Sequence, residues 1–155
     1  MKALALSNGR AATVSDCDYA YLRQWTWNCI GGKYAQRKRG EQYIYMHHAV
    51  ARRKGIKTWN RIDHANQNGL DNRRCNLRPA NRSSNGANRG KQRNNKSGFK
   101  GVCRHKAARR WMAQITVKGV NHYLGLFASR YDAARAYNRS ARKYFGKYAC
   151  LNLGV

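Results

Sequence analysis

Apolar and polar positions alternate in short runs along most of the chain, and only the last third carries a sustained helical period. Ala3-Leu4-Ala5-Leu6 and Ala11-Ala12-Thr13-Val14 flank Ser7-Asn8-Gly9-Arg10. The Asn-Gly pair predicts a hairpin between two strands. Ser15 and Asp18 form a capping-box-like start for a brief helix carrying Tyr19, Leu22 and Trp25. Runs at 33–37 and 42–46, parted by Lys38-Arg39-Gly40-Glu41, predict a second hairpin. Their aromatic residues suit the cores of small sheets. His47 to Lys54 predicts a short helix stopped by Gly55.

Residues 61–65 predict a strand, Asn66-Gln67-Asn68-Gly69 a loop, and Leu77-Arg78-Pro79-Ala80 a second strand with proline at an edge or exit. Residues 81–89 predict a short helix of low propensity, because Asn, Ser and Gly disfavour helix interiors. Such a break of local rules marks a stretch shaped by function. Gly90 to Gly98 holds no apolar residue and reads as a basic linker able to lie along DNA.

From Phe99 the pattern is regular. Residues 99–105, 110–117 and 121–127 predict three antiparallel strands, with Lys118-Gly119-Val120 as the second turn. Trp111, Ala113, Ile115 and Val117 share one face of the middle strand; Arg110, Met112, Gln114 and Thr116 share the other. Ser129 caps a helix from Arg130 to Phe145, with Asp132 in its first turn. Its buried stripe is Ala133, Ala136, Tyr137, Ser140, Ala141 and Tyr144, and Gly146 ends it. The expected class is α+β. A small β-rich region leads into a two-strand-and-helix segment within residues 1–90. A linker at 91–98 follows, then a three-stranded sheet packed on one helix at 99–155.

Charge narrows the function. Against 6 acidic residues the 155-residue chain carries 32 Lys and Arg, a formal net charge of +26. That excess, spread along the whole sequence, points to a polyanionic partner, most often nucleic acid. No apolar run approaches the ~20 residues of a membrane-spanning helix, there is no signal-peptide pattern, and no apolar helix face is lined with lysines. A cytoplasmic protein without a membrane partner is expected. Cys17, Cys29, Cys75, Cys103 and Cys150 are dispersed and odd in number, so they predict neither a zinc site nor a disulfide framework.

Where acidic residues are this scarce, Asp63 beside His64 invites a chemical reading. Asp63 and Asn85 offer hard oxygens suited to Mg2+ or a similar ion. His64 can accept a proton near neutral pH, and the surrounding positive field favours its neutral form. His47 and His48 point to different faces of their helix and do not easily share a metal; His47 is kept as an accessory candidate.

Asp63-His64, Asn76-Leu77, Asn85 and Asn88 together resemble the HNH nucleases. The offsets of 12 from His64 to Asn76 and 9 from Asn76 to Asn85 suit the phage homing-endonuclease branch, in which Asn replaces the final His of the name. Tyr45-Met46-His47-His48 looks like the lead-in of that branch. A second resemblance runs from 97 to 153. Gly101-Val102, Trp111-Met112-Ala113-Gln114-Ile115, Tyr123-Leu124-Gly125-Leu126-Phe127, Ala133-Ala134-Arg135-Ala136-Tyr137 and Leu151-Asn152 look like an AP2 (ERF-type) DNA-binding domain. HNH nucleases carrying that module are known among phages and mobile elements.

The first resemblance implies a ββα-metal site. In it His64 activates water, Asp63 and Asn85 hold Mg2+ or Mn2+ with Asn88 as the fallback ligand, and Asn76 pins the loop that orients His64. The second implies a sheet read into the major groove, with Lys100, Arg104, His105, Arg110, Gln114, Thr116, Asn121 and Tyr123 as the candidate DNA contacts. Plant AP2 domains present mostly Arg and Trp there, so the target sequence does not carry over. Two other classes fit the charge: a non-catalytic DNA-binding regulator with a decayed nuclease half, and a basic RNA-binding protein. The latter leaves the Asp63–His64–Asn76–Asn85 set without a purpose.

Overall fold

The computed structural model describes residues 1–57 and 61–155. It is a mixed α+β chain built from several small sheets and four α-helices among the described residues. The chain divides into two compact units, Met1–Asn81 and Arg82–Val155.

In the first unit β1 (Lys2–Ala5) and β2 (Ala11–Val14) form the expected hairpin, with Gly9 at φ +76° in its turn. A short helix α1 (Asp16–Leu22) follows. Ser15 does not cap it with its side chain; its hydroxyl instead accepts a hydrogen bond from the Arg74 backbone N–H at 2.9 Å. A long-range donor thus takes the oxygen that the local pattern reserves for the helix. Strands β3 (Asn28–Ile30), β4 (Tyr34–Arg39) and β5 (Gln42–Tyr45) form an antiparallel meander, and α2 (Met46–Arg53) follows without a loop.

Strand β6 (Arg61–His64) pairs antiparallel with β8 (Leu77–Ala80), so that Asp63 faces Arg78 and His64 faces Leu77. Between them β7 (Asp71–Asn72) runs parallel to β2, an addition the local pattern does not announce. One apolar cluster serves the unit, with Leu4, Val14, Leu22, Trp27, Met46, Val50 and Leu77 at its centre. Trp27 resolves its polar atom by donating Nε1–H to the Leu22 carbonyl at 2.8 Å.

The second unit opens with α3 (Arg82–Asn88), ahead of the basic segment that composition marks as a linker. Helix α3 is tied to its own unit: the Ala87 carbonyl accepts from the Cys150 N–H at 3.3 Å and from Lys100 Nζ at 2.6 Å. The sheet has the order β11 (Val120–Phe127), β10 (Arg110–Val117), β9 (Val102–His105), all antiparallel. Lys118 at φ +49° and Gly119 at φ +87° turn β10 into β11, the left-handed pair that a two-residue hairpin loop requires.

Helix α4 (Arg130–Phe145) lies on the sheet, and Ser129 caps it by accepting from the Tyr131 N–H at 3.1 Å. Its buried alanines, Ala133, Ala134, Ala136 and Ala141, allow close approach to Val102, Ala113 and Ile115. Gly101, at φ +71°, is forced by that approach: a Cβ there would sit 2.1 Å from the Tyr137 ring. Tyr144, placed on the buried stripe by periodicity, is 43% exposed and stacks on His122 at the sheet edge.

Candidate functional site

Asp63 and His64 end β6, and both are buried. The loop that leaves them is held by a polar network. The Asn76 carboxamide donates to Asn66 Oδ1 at 2.9 Å and to the Asp71 carbonyl at 2.7 Å, and its Oδ1 accepts from the Asn66 N–H at 3.0 Å. The Asn76 carbonyl accepts from the Ala65 N–H, and the His64 carbonyl from the Gln67 N–H, both at 2.9 Å. Asn76 thus ties both ends of the 65–71 loop together directly after His64. Asp71 completes the loop, accepting from Asn66 Nδ2 at 2.8 Å and taking the Arg73 guanidinium on both oxygens at 2.8 and 2.7 Å. The Arg73 bond leads in lowering the Asp71 carboxyl below its ordinary range.

Around His64 stand aromatic rings from three other stretches. His47 is 5.2 Å away edge-on and Tyr34 5.9 Å, while Tyr45 stacks on His47 at 5.4 Å. Burial leads in pulling His64 below its ordinary value, against the opposing influence of Asn72, Asp63 and Asp71. Asn72 is fully buried beside it, yet its carboxamide makes no hydrogen bond of good geometry among the described residues; adjacency rather than a formed bond describes this contact. His47 goes further: burial, then His48 and His64, lower it to about 3, so it is neutral at pH 7 and packs as an aromatic ring. Tyr34 in turn leaves no room across the loop: a Cβ on Gly69 would fall 2.3 Å from the Lys33 carbonyl and 2.6 Å from the Tyr34 ring.

Asp63 Oδ2 accepts from Arg78 Nε at 2.9 Å and Nη2 at 2.7 Å, a partner set by the cross-strand register of β6 and β8. Arg78 was not among the residues singled out from sequence; a cross-strand position opposite Asp63 is a signal only once the hairpin register is known. Asn85 and Asn88 stand on α3 in the second unit, Asn85 half-buried and Asn88 buried. Among the described residues no three or more His, Cys, Asp or Glu gather into a metal cage. The expected ligand set differs in kind, a carboxylate with carboxamide oxygens, and those hard donors fit Mg2+ or Mn2+.

The sheet of the second unit sorts its candidates by register. Arg110 pairs with His105, Gln114 with Tyr123 and Thr116 with Asn121, all on the face turned away from α4. There Thr116 Oγ1 donates to Asn121 Oδ1 at 2.8 Å, and Tyr123 is 63% exposed. The register steps from Ala113–Gly125 to Gln114–Tyr123, so β11 carries a bulge at Leu124, next to Gly125 at φ +127°. Arg104 pairs with Trp111 and lays its guanidinium 5.2 Å over that indole, so it stands on the face of Trp111 and not with Gln114. Lys100 is a clamp: its ammonium donates to the Ala87 and Arg89 carbonyls, both at 2.6 Å, and Asn152 holds its backbone at 2.7 and 3.1 Å. The five cysteines are free thiols. Among the described residues no helix is long and apolar enough to cross a membrane.

No family model matches the chain, and no solved structure matches it.

Proposed function

We propose that this protein is a divalent-metal-dependent DNA endonuclease of the HNH homing type that holds double-stranded DNA partly through its C-terminal sheet. The observation that carries the reading is the Asp63–His64 pair at the end of β6, both buried, at the root of a loop pinned by Asn76. Along the chain β6 and β8 are followed by α3, the order of elements a ββα-metal nuclease needs. The charge of +26 supplies the attraction to phosphate.

In this reading His64, neutral at pH 7, takes the proton from a water molecule as its oxygen bonds to the scissile phosphorus. The bond from phosphorus to the 3′ oxygen breaks, leaving a 3′-hydroxyl and a 5′-phosphate. Asn76 keeps the loop closed so that the imidazole holds its direction, and the Tyr34, Tyr45 and His47 rings shield it from bulk water. Asp63 and Asn85 are the residues assigned to the metal, with Asn88 as the fallback; the ion, when bound, stabilises charge on the leaving oxygen. Arg110, Gln114, Thr116, Asn121 and Tyr123, with His105, form the DNA-reading face. Gln114 and Asn121 carry the donor–acceptor pair that suits adenine, and Arg110 suits guanine or a phosphate.

One observation favours a second reading. The Asp63 carboxylate is already met by two Arg78 donors, as in a nuclease half that has become inert and serves only a DNA-binding regulator. Plasmid nicking in Mg2+, with and without EDTA, separates the two. The endonuclease nicks in Mg2+ and stops on chelation, and His64→Ala lowers the rate about 10²–10⁴-fold while leaving DNA affinity nearly intact. A His64→Ala protein that cuts at the parental rate refutes the assignment.

A further inference from the structure

The β3–β4–β5 meander buries one face and exposes the two ends of the other, with Gln36 buried between them. Ala35 on the inner face joins the core, and Arg37 on that side stacks over Trp25 at 4.3 Å. Register puts Ile30 opposite Tyr34 and Lys38 opposite Tyr43 on the outer face. There Ile30 is 44%, Tyr34 40% and Tyr43 59% exposed. Single exposed aromatics are ordinary. Ile30–Tyr34 and Lys38–Tyr43 are two cross-strand pairs on one face of a small sheet, one at each side of the buried Gln36.

The face is also continuous with the candidate site. The Tyr34 ring touches Tyr45 at 6.3 Å, His47 at 5.5 Å and His64 at 5.9 Å. Gly69, in the loop after His64, is pressed against Tyr34. Tyr34, 40% exposed, thus joins the outer face to the ring cluster around the buried His64. The local charge is positive: Lys33, Lys38 and Arg39 stand against Glu41 in the β4–β5 turn.

We propose that the face bearing Ile30, Tyr34, Lys38 and Tyr43 is a second DNA contact surface, which seats the sugar–phosphate backbone of the strand to be cut beside His64. The seating beside His64 rests on the endonuclease reading; the contact itself does not. Phenol hydroxyls donate to phosphate oxygens, the rings pack on deoxyribose, and the ammonium neutralises a phosphate. The surface fixes where along the duplex the strand is presented, while the sheet of the second unit selects sequence.

The test uses the full chain carrying His64→Ala, so that cutting does not obscure binding, and a duplex that the parent selects from a random pool. Hydroxyl-radical footprinting and affinity titration in EDTA compare this parent with Tyr43→Ala and with Tyr43→Ala/Lys38→Ala. Tyr43 is largely exposed, so melting should be unchanged, and Tyr43→Phe serves as a second variant that keeps the ring. The expected result for Tyr43→Ala is an affinity loss of about fivefold with no change in charge. The double variant should also lose about one unit of salt slope and one backbone patch of the parent's footprint. Unchanged footprint and affinity in the double variant overturn the proposal whatever the nicking assay gives. If the patch is lost but the chain with His64 intact never nicks DNA, the contact surface stands and the seating falls with the endonuclease reading.

Discussion

Replacing Asp18 should be the most damaging single change to the first unit, although no reading of function involves it. Its carboxylate is fully buried and accepts from Arg74 Nε at 2.7 Å, Arg74 Nη2 at 2.8 Å and Arg53 Nε at 2.9 Å. It thereby fastens α1 to the end of α2 and to the turn preceding Asn76. Removing one partner of a buried ion pair costs about 3–5 kcal/mol. The side chains of Arg53 and Arg74 are 37% and 33% exposed, so water screens what is left behind and the lower end, about 3 kcal/mol, applies. An 81-residue unit has a total stability of about 4–12 kcal/mol. Asp18→Ala should therefore lower its melting temperature by ~12 °C or more in differential scanning calorimetry, with Asp18→Asn separating charge from shape. A shift below about 3 °C would refute the reasoning. Acid gives an independent check. Burial alone would raise the Asp18 pKa, but the Arg74 and Arg53 bonds outweigh it and the net shift is downward. A carboxyl depressed in the folded state stabilises above its unfolded value, near 3.8, and loses that contribution as pH falls through the folded value. Wild-type protein should thus lose stability below about pH 4 more steeply than Asp18→Asn.

Gly69→Ala should destabilise the first unit by about 1–3 kcal/mol, because its methyl overlaps the Lys33 carbonyl and the Tyr34 ring; urea denaturation indistinguishable from wild type would show that the loop gives way freely. Lys100→Met should speed amide exchange in α3 and leave exchange in β9–β11 unchanged, since two carbonyls at the end of α3 lose their ammonium; equal exchange in α3 would remove the clamp from the account. Gln114→Ala should relax base preference at one position of the selected site at a cost of about 1–3 kcal/mol, whereas Arg104→Ala, on the opposite face, should leave base preference as it was; the same selection experiment checks both.

Periodicity by itself determined most of the second unit. The alternation of Trp111, Ala113, Ile115 and Val117, the Lys118-Gly119 turn and the Ser129 cap are local signals, and each element they predict is present. The hairpins of the first unit were legible for the same reason. What sequence could not supply is whatever depends on register between distant stretches. Arg78 meets Asp63 because β6 pairs with β8 at one particular offset, and Arg104 turns to the Trp111 face because β9 pairs with β10 at another. Ser15 loses its capping role to an N–H 59 residues away, and β7 joins β2 in parallel with only two residues of pattern. The AP2-like resemblance makes Lys100 a candidate DNA contact, and only packing turns its ammonium toward the Ala87 and Arg89 carbonyls. In a chain so rich in cations, composition announces an attraction to polyanions. Which arginines and lysines are already committed to carboxylates and carbonyls is decided by tertiary structure, because buried acceptors must be matched by whichever donor the fold brings within reach.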